Sequence, residues 1–180
     1  VGSAIHETVE ELLLFRRRFL ARHGACTPDI IYLRGGQEEM WQKLLQIHLA
    51  LNPTEVLVWM FSQGAAATLA AYGGRTENGL SAVREGATAL NRWASDVRDR
   101  IRSADGHNAL MASLRRAATT GTDGLLFVNA GLDPSLAVED QNDNFWWGAG
   151  RFDAIDGPYR QFRKVIRGYD ANHRGIRMTS

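Results

Sequence analysis

Apolar positions recur at helical spacing through much of the chain. From Val9 to Leu20, the residues Leu12, Leu13, Phe15, Phe19 and Leu20 keep that rhythm, with Arg16, Arg17 and Arg18 between them. Those arginines read as a solvated helix face, with a phosphate-binding patch as the sharper alternative. Thr27-Pro28-Asp29 breaks the helix, and the β-branched run Ile30-Ile31-Tyr32-Leu33 predicts a buried strand. Gly35-Gly36 ends that strand, and a helix is expected from Gln37 to about Leu51. Pro53 opens a short helix at its first turn, and Ala65 to Tyr72 forms another, closed by Gly73-Gly74. Leu80 to Ser103 carries one long helical pattern, and Ala109 to Ala118 a similar one. The chain returns to strand at Leu125-Leu126-Phe127-Val128, turns at Gly131-Leu132-Asp133-Pro134, and ends its regular structure with a strand at Lys164-Val165-Ile166. The opening Val1-Gly2-Ser3-Ala4-Ile5 reads as the end of a strand. The expected class is α/β (α+β), with a helical region over about 53–118 set between strands.

Composition narrows the possibilities. With 180 residues, the chain is expected to form a single domain spanning 1–180. Hydrophobic residues at 44% and charged residues at 23% exclude an intrinsically disordered protein. A formal net charge of +1 gives no global attraction to nucleic acid or membrane, so neither is expected as a partner. The single cysteine, Cys26, excludes an intramolecular disulfide and a thiolate zinc cluster. No apolar run reaches the roughly 18–20 residues of a membrane span and Val1 opens no signal peptide, so a cytoplasmic location is expected.

In α/β folds, functional residues gather on loops just past the carboxyl ends of strands. Three such loops follow from the pattern: Arg34-Gly35-Gly36-Gln37-Glu38-Glu39, Asn129-Ala130-Gly131 and Arg167-Gly168-Tyr169-Asp170. Together with their flanks, these segments resemble the calcineurin-like metallophosphoesterases, specifically the bacterial branch of the PPP-type serine/threonine phosphatases and diadenosine tetraphosphatases. In that family one strand ends in L-R-G-N-H-E-E, a later one in F-V-H-A-G-x-x-P and a third in H-G-H. The same places here read Leu33-Arg34-Gly35-Gly36-Gln37-Glu38-Glu39, Phe127-Val128-Asn129-Ala130-Gly131-Leu132-Asp133-Pro134 and Arg167-Gly168-Tyr169. Trp59 to Tyr72, with Gly64 and Thr68-Leu69-Ala70-Ala71-Tyr72-Gly73, is similar to the family's W…GG…TL.SYG stretch. Glu139, Gln141 and Phe145-Trp146-Trp147-Gly148 are similar to its L-E-Q…LLW segment. Val1 to His6 matches V-G-D-x-x-D-R-G-P with a shortened loop. The family's G-D-x-H-G motif and its final strands have no counterpart, so the fold is expected to be incomplete at both ends.

The resemblance implies a calcineurin-like αββα sandwich with a helical insertion. It also implies a pair of divalent cations, such as manganese, iron or zinc, that activate a bridging hydroxide for attack on phosphorus. The implied ligands are replaced position by position. Ser3 and His6 stand for two aspartates, Gly36 for the ligand asparagine and Gln37 for the proton-donating histidine. Asn129 stands for a ligand histidine, Arg167 and Tyr169 for the two histidines of H-G-H, and Glu7 near the phosphate-gripping arginine. A guanidinium within ~4 Å of a dication would cost about 8 kcal/mol at an effective dielectric near 20. The expectation is therefore a degenerate, inactive relative: a pseudophosphatase with no catalytic residue retained, no metal and no cofactor. Its expected work is to bind an unidentified protein partner, or to sense a phosphate-containing small ligand through Arg34, Gly35, Gly36 and Arg167. The alternative is an active metal-dependent phosphoesterase, or serine/threonine protein phosphatase, with metals rebuilt on Asp170, His173, His6 or residues outside the chain.

Several residues read as structural. Glu38 and Glu39 suit the first turn of a helix, and Asp133, Asp170 and His173 suit surface loops. His48 and His107 show no partner pattern. Cys26 sits near Arg22 and His23, a setting that lowers a thiol pKa, yet no nucleophile motif surrounds it. Trp146 and Trp147 are expected to face opposite sides, one of them inward. The segment 151–180 concentrates seven basic residues against three acidic ones.

Overall fold

The computed structural model describes residues 4–121, 124–148 and 152–170. The chain divides into two compact units: unit 1 is Val1–Ile30 with Gln37–Ser113, and unit 2 is Ile31–Gly36 with Leu114–Ser180.

Unit 1 is helical. Helix α1 (Ile5–Leu20) buries Ile5, Val9 and Leu13, one apolar row at four-residue spacing. Its first turn takes up Ile5 and His6, so the strand end expected there is absent from the described residues. Phe15, expected on the inward face, is 51% exposed, and Arg17 and Arg18 face solvent. Helix α2 (Gly36–Leu45) opens on the last residue of a unit 2 segment and runs into unit 1, with Glu38 and Glu39 in its first turn as expected. Helix α3 (Pro53–Met60) is capped by Asn52, whose side chain accepts the Glu55 N–H at 3.4 Å. A wide turn, Phe61–Ala65, carries Gly64 at φ +106° and leads into α4 (Ala66–Ala71).

The long helix expected over Leu80–Ser103 is two helices, α5 (Thr76–Glu85) and α6 (Ala87–Arg102). Gly86 parts them at φ +106°, a conformation L side chains rarely adopt. Helix α7 (His107–Ser113) closes the unit. The core joins Met40, Trp41 and Leu44 to Leu57, Met60, Leu69, Leu90, Val97 and Ile101. Among the described residues no single helix is long and apolar enough to cross a membrane. Pro53–Ala71 with Thr76–Glu85 passes that test as a pair bent by 108°, and its Leu57, Met60, Leu69 and Ala82 are buried in this core.

Unit 2 holds a three-stranded mixed sheet in the order β1 (Ala117–Thr119), β2 (Leu125–Val128), β3 (Lys164–Arg167). β1 and β2 are antiparallel, with Ala117 opposite Val128; β2 and β3 are parallel, with Val128 opposite Arg167. β1 takes residues expected to end a helix. Alanine suits a helix, but pairing with β2 satisfies the backbone here. The strand expected at Ile30–Leu33 survives as a single bridge from Leu33 to Arg115. Arg34 N–H donates to the Arg115 carbonyl at 2.8 Å, and Arg115 N–H to the Tyr32 carbonyl at 2.9 Å. Leu126, Val128, Leu132, Phe145, Trp146, Tyr159 and Phe162 form the core of this unit. Helices together with a small mixed sheet make the chain α+β.

Candidate functional site

The parallel pairing of β2 and β3 sets their carboxyl ends side by side. Beyond them, Gly168 N–H donates to the carbonyls of Val128 (3.1 Å) and Asn129 (3.0 Å), and Tyr169 N–H to the Asn129 carbonyl at 2.8 Å. The next residue, Ala130, donates its N–H to the Phe145 carbonyl at 2.7 Å, which ties the rim to α8 (Asn144–Trp147). Gly36 packs on the same helical turn. A Cβ added to it would lie 2.8 Å from Trp147 Cζ3 and 3.2 Å from the Trp146 carbonyl oxygen. Gly36, Asn129, Arg167 and Tyr169 thus gather around one corner of unit 2, with Gly35 buried and Arg34 half-buried nearby in the chain. Trp146 is buried and Trp147 is 42% exposed, so the two rings do divide between inside and outside, although from a helical turn.

Arg167 does not face outward as an open cation. Its Nη2 donates to Asp170 Oδ2 in a short contact and to Asp153 Oδ1 at 3.3 Å, and its Cζ lies 4.5 Å from the centroid of the Phe152 ring. Two carboxylates neutralise the guanidinium and an aromatic face shields it. Asp170, read as a surface residue, is one of these partners. Tyr169 is 59% exposed.

Gln37 and His6 belong to unit 1. The Gln37 amide donates to the Gln63 carbonyl at 2.8 Å, and its side chain lies where a Cβ on Gly64 would come within 3.3 Å. Gln37 therefore supports the wide turn that the positive φ of Gly64 creates. Ser3 and His173 lie outside the described residues, as do Arg151, Arg174 and Arg177 of the basic segment.

The pair of cations implied by the resemblance does not fit the residues present. Position 36 has no side chain, and Trp147 fills the space one would enter. Gln37 is committed to a carbonyl, and the permanently charged guanidinium of Arg167 stands where the resemblance implies a histidine ligand.

A second constellation lies within unit 1. His107 is fully buried; its Nδ1 is 2.8 Å from Tyr72 Oη and its Nε2 is 2.9 Å from Glu10 Oε1. The His6 ring lies beside it, tilted by 43°, with centroids 4.5 Å apart. His6 and Glu10 share a face of α1 by their four-residue spacing, a signal legible in the sequence. His107 arrives from the far end of the unit, and nothing in its local pattern points to Glu10.

Burial, and then the charge of Glu10, push the Tyr72 hydroxyl up to about 12. The folded state therefore holds this proton more tightly than the unfolded chain, whose tyrosine titrates near about 10. Stability from this group is complete below about pH 10 and falls as pH rises towards about 12, by roughly 2–3 kcal/mol at the limit. Denaturant titrations at pH 9 and pH 12, in wild type and Tyr72→Phe, are expected to show this alkaline loss in wild type and a smaller one in the variant. Cys26 moves opposite to expectation. Its thiol donates to Asp29 Oδ2 at 3.1 Å, and that bond raises its pKa.

Comparison with protein-family models, with curated proteins and with solved structures returned no match.

Proposed function

We propose that the chain is a metallophosphoesterase-like protein of calcineurin-like αββα type that has lost its metal site, a pseudophosphatase that binds a protein partner instead of hydrolysing phosphoesters. The observation carrying this reading is Arg167, a permanent cation at a ligand position of the resembled family, held by Asp170 and Asp153 against Phe152. Gly36, closed over by Trp147, supports it. Phosphate sensing is the weaker use of the same corner. An incoming phosphate would have to draw Arg167 from two carboxylates and sit beside them, so like-charge repulsion opposes the exchange.

Turnover of p-nitrophenyl phosphate and diadenosine tetraphosphate, with manganese added, tests the first half of this reading. No turnover above a no-protein control is expected, and chelator-sensitive turnover would overturn it in favour of the active phosphoesterase. Calorimetric titration of inorganic phosphate tests the second half. Binding that Arg167→Ala abolishes would replace partner binding by phosphate sensing; no heat of binding is the expected result.

A further inference from the structure

We propose that His6, Glu10 and His107 form a binding site for one divalent metal ion of the zinc class, completed by water on its open side. The ligand atoms of these three residues all lie within 4.8 Å of one another, inside a single unit. Glu10 Oε1 and His107 Nε2 are 2.9 Å apart, a hydrogen-bond distance that would have to open only to about 3.3 Å for both to bind one tetrahedral zinc ion at about 2.0–2.1 Å each. The rings of His6 and His107 are side by side at 4.5 Å, and among the described residues the His6 nitrogens have no hydrogen-bond partner.

The donor set selects the metal. Two imidazoles and one carboxylate match zinc and its neighbours, whereas magnesium and calcium favour shells of oxygen. Three protein ligands leave a position for water, and access exists because the Glu10 side chain is 47% exposed and His6 is half-buried. Tyr72 supplies the outer partner that a ligating histidine needs. With Nδ1–H donating to Tyr72 Oη, the Nε2 lone pair points to the metal, and the ring is fixed by the same 2.8 Å contact. Zinc would then exchange the Nε2–Glu10 hydrogen bond for two coordinate bonds. The proton moves from Nε2 to Nδ1 in the change of tautomer, so the imidazole remains neutral. Such an ion would pin α1 to α7 within unit 1.

The test uses the full chain without an affinity tag, stripped by chelator and titrated with zinc chloride by calorimetry. Substitution with cobalt(II) adds a visible spectrum that reports nitrogen and oxygen ligation. Wild type is expected to bind one equivalent at micromolar affinity or tighter and to show a raised thermal midpoint in zinc. His6→Ala and Glu10→Gln are each expected to weaken binding by at least about tenfold and to remove the cobalt band. His6 is the informative position because it is half-buried and, among the described residues, has no hydrogen-bond partner, so its truncation costs the fold only its ring contacts with His107 and Tyr72, whereas His107→Ala would also empty a fully buried site. No stoichiometric binding tighter than about 100 μM overturns the proposal. So does wild-type affinity in either variant. No phosphoester enters these measurements, so failure here leaves the pseudophosphatase reading intact, and failure of that reading leaves this one intact.

Discussion

Gln141→Ala is expected to lower stability by about 3 kcal/mol, more than the hydroxyl deletion Tyr159→Phe beside it. Gln141 is fully buried and serves the loop after β2 from both ends of its amide. Oε1 accepts the Asp133 N–H at 2.7 Å, while Nε2 donates to the Asp133 carbonyl at 2.7 Å and lies 3.1 Å from Tyr159 Oη. Truncation strands a backbone donor and acceptor away from water and leaves a void beside them. Tyr159→Phe keeps the ring and removes the hydroxyl with its 2.6 Å bond to the Leu136 carbonyl and the 3.1 Å bond it accepts from Gln141 Nε2, so about 1–2 kcal/mol is expected. Denaturant midpoints for the two variants provide the check. Equal losses would mean that Gln141 does not hold this loop.

Returning the resembled family's residues, Gly36→Asn with Gln37→His, is expected to damage the protein without reviving it. An asparagine Cβ would meet Trp147 Cζ3 at 2.8 Å and Cε3 at 3.1 Å, with the Trp146 carbonyl 3.2 Å away to block retreat. Relieving that crowding costs about 1–3 kcal/mol. Histidine at 37 loses the amide bond to the Gln63 carbonyl and adds about 1 kcal/mol. Phosphoesterase turnover in manganese is expected to stay at background because, on the proposed reading, Ser3, His6, Asn129, Arg167 and Tyr169 still stand at the other positions where the resembled family has its ligands. A thermal melt and a p-nitrophenyl phosphate assay on the double variant read both effects. Unchanged stability, or measurable turnover, would contradict the account of this corner.

Some of this was legible in the chain itself. β2 was, because Leu125 to Val128 is an unbroken apolar run and the fold buries Leu126 and Val128. The meeting of Asn129 with Arg167 followed from strand-end logic and a parallel pair. β1 was hidden: Ala117-Ala118-Thr119 carries helix-favouring alanines, and only β2 as a partner turns it into a strand. The run Ile30–Leu33 misled in the other direction, since β-branched residues predict a ladder and the fold gives Leu33 one bridge. Gly86 broke a periodic pattern that continues on both sides of it, so periodicity alone could not see two helices. At the site, the Asp153 carboxylate on Arg167 and the Glu10 carboxylate on His107 come from loops and helices remote in the chain. Such pairs arise from folding, not from spacing.

The bridge between Leu33 and Arg115 has a consequence for the order in which the protein forms as it is made. Segment 31–36 leaves the ribosome early, yet the backbone partners of Tyr32 and Arg34 belong to Arg115, which emerges only after the rest of unit 1. The helices of unit 1 join close neighbours, such as α5 with α6, and need wait for little else. β2 must wait for β3 across a long connection in which α8 gives a single helical turn. Closing such loops carries an entropic cost that local helices avoid. During synthesis, then, Ile31 to Gly36 spends an interval before Arg115 exists to pair with it, and its apolar part, Ile31 to Leu33, is where a chaperone or a second nascent copy would find its first hold.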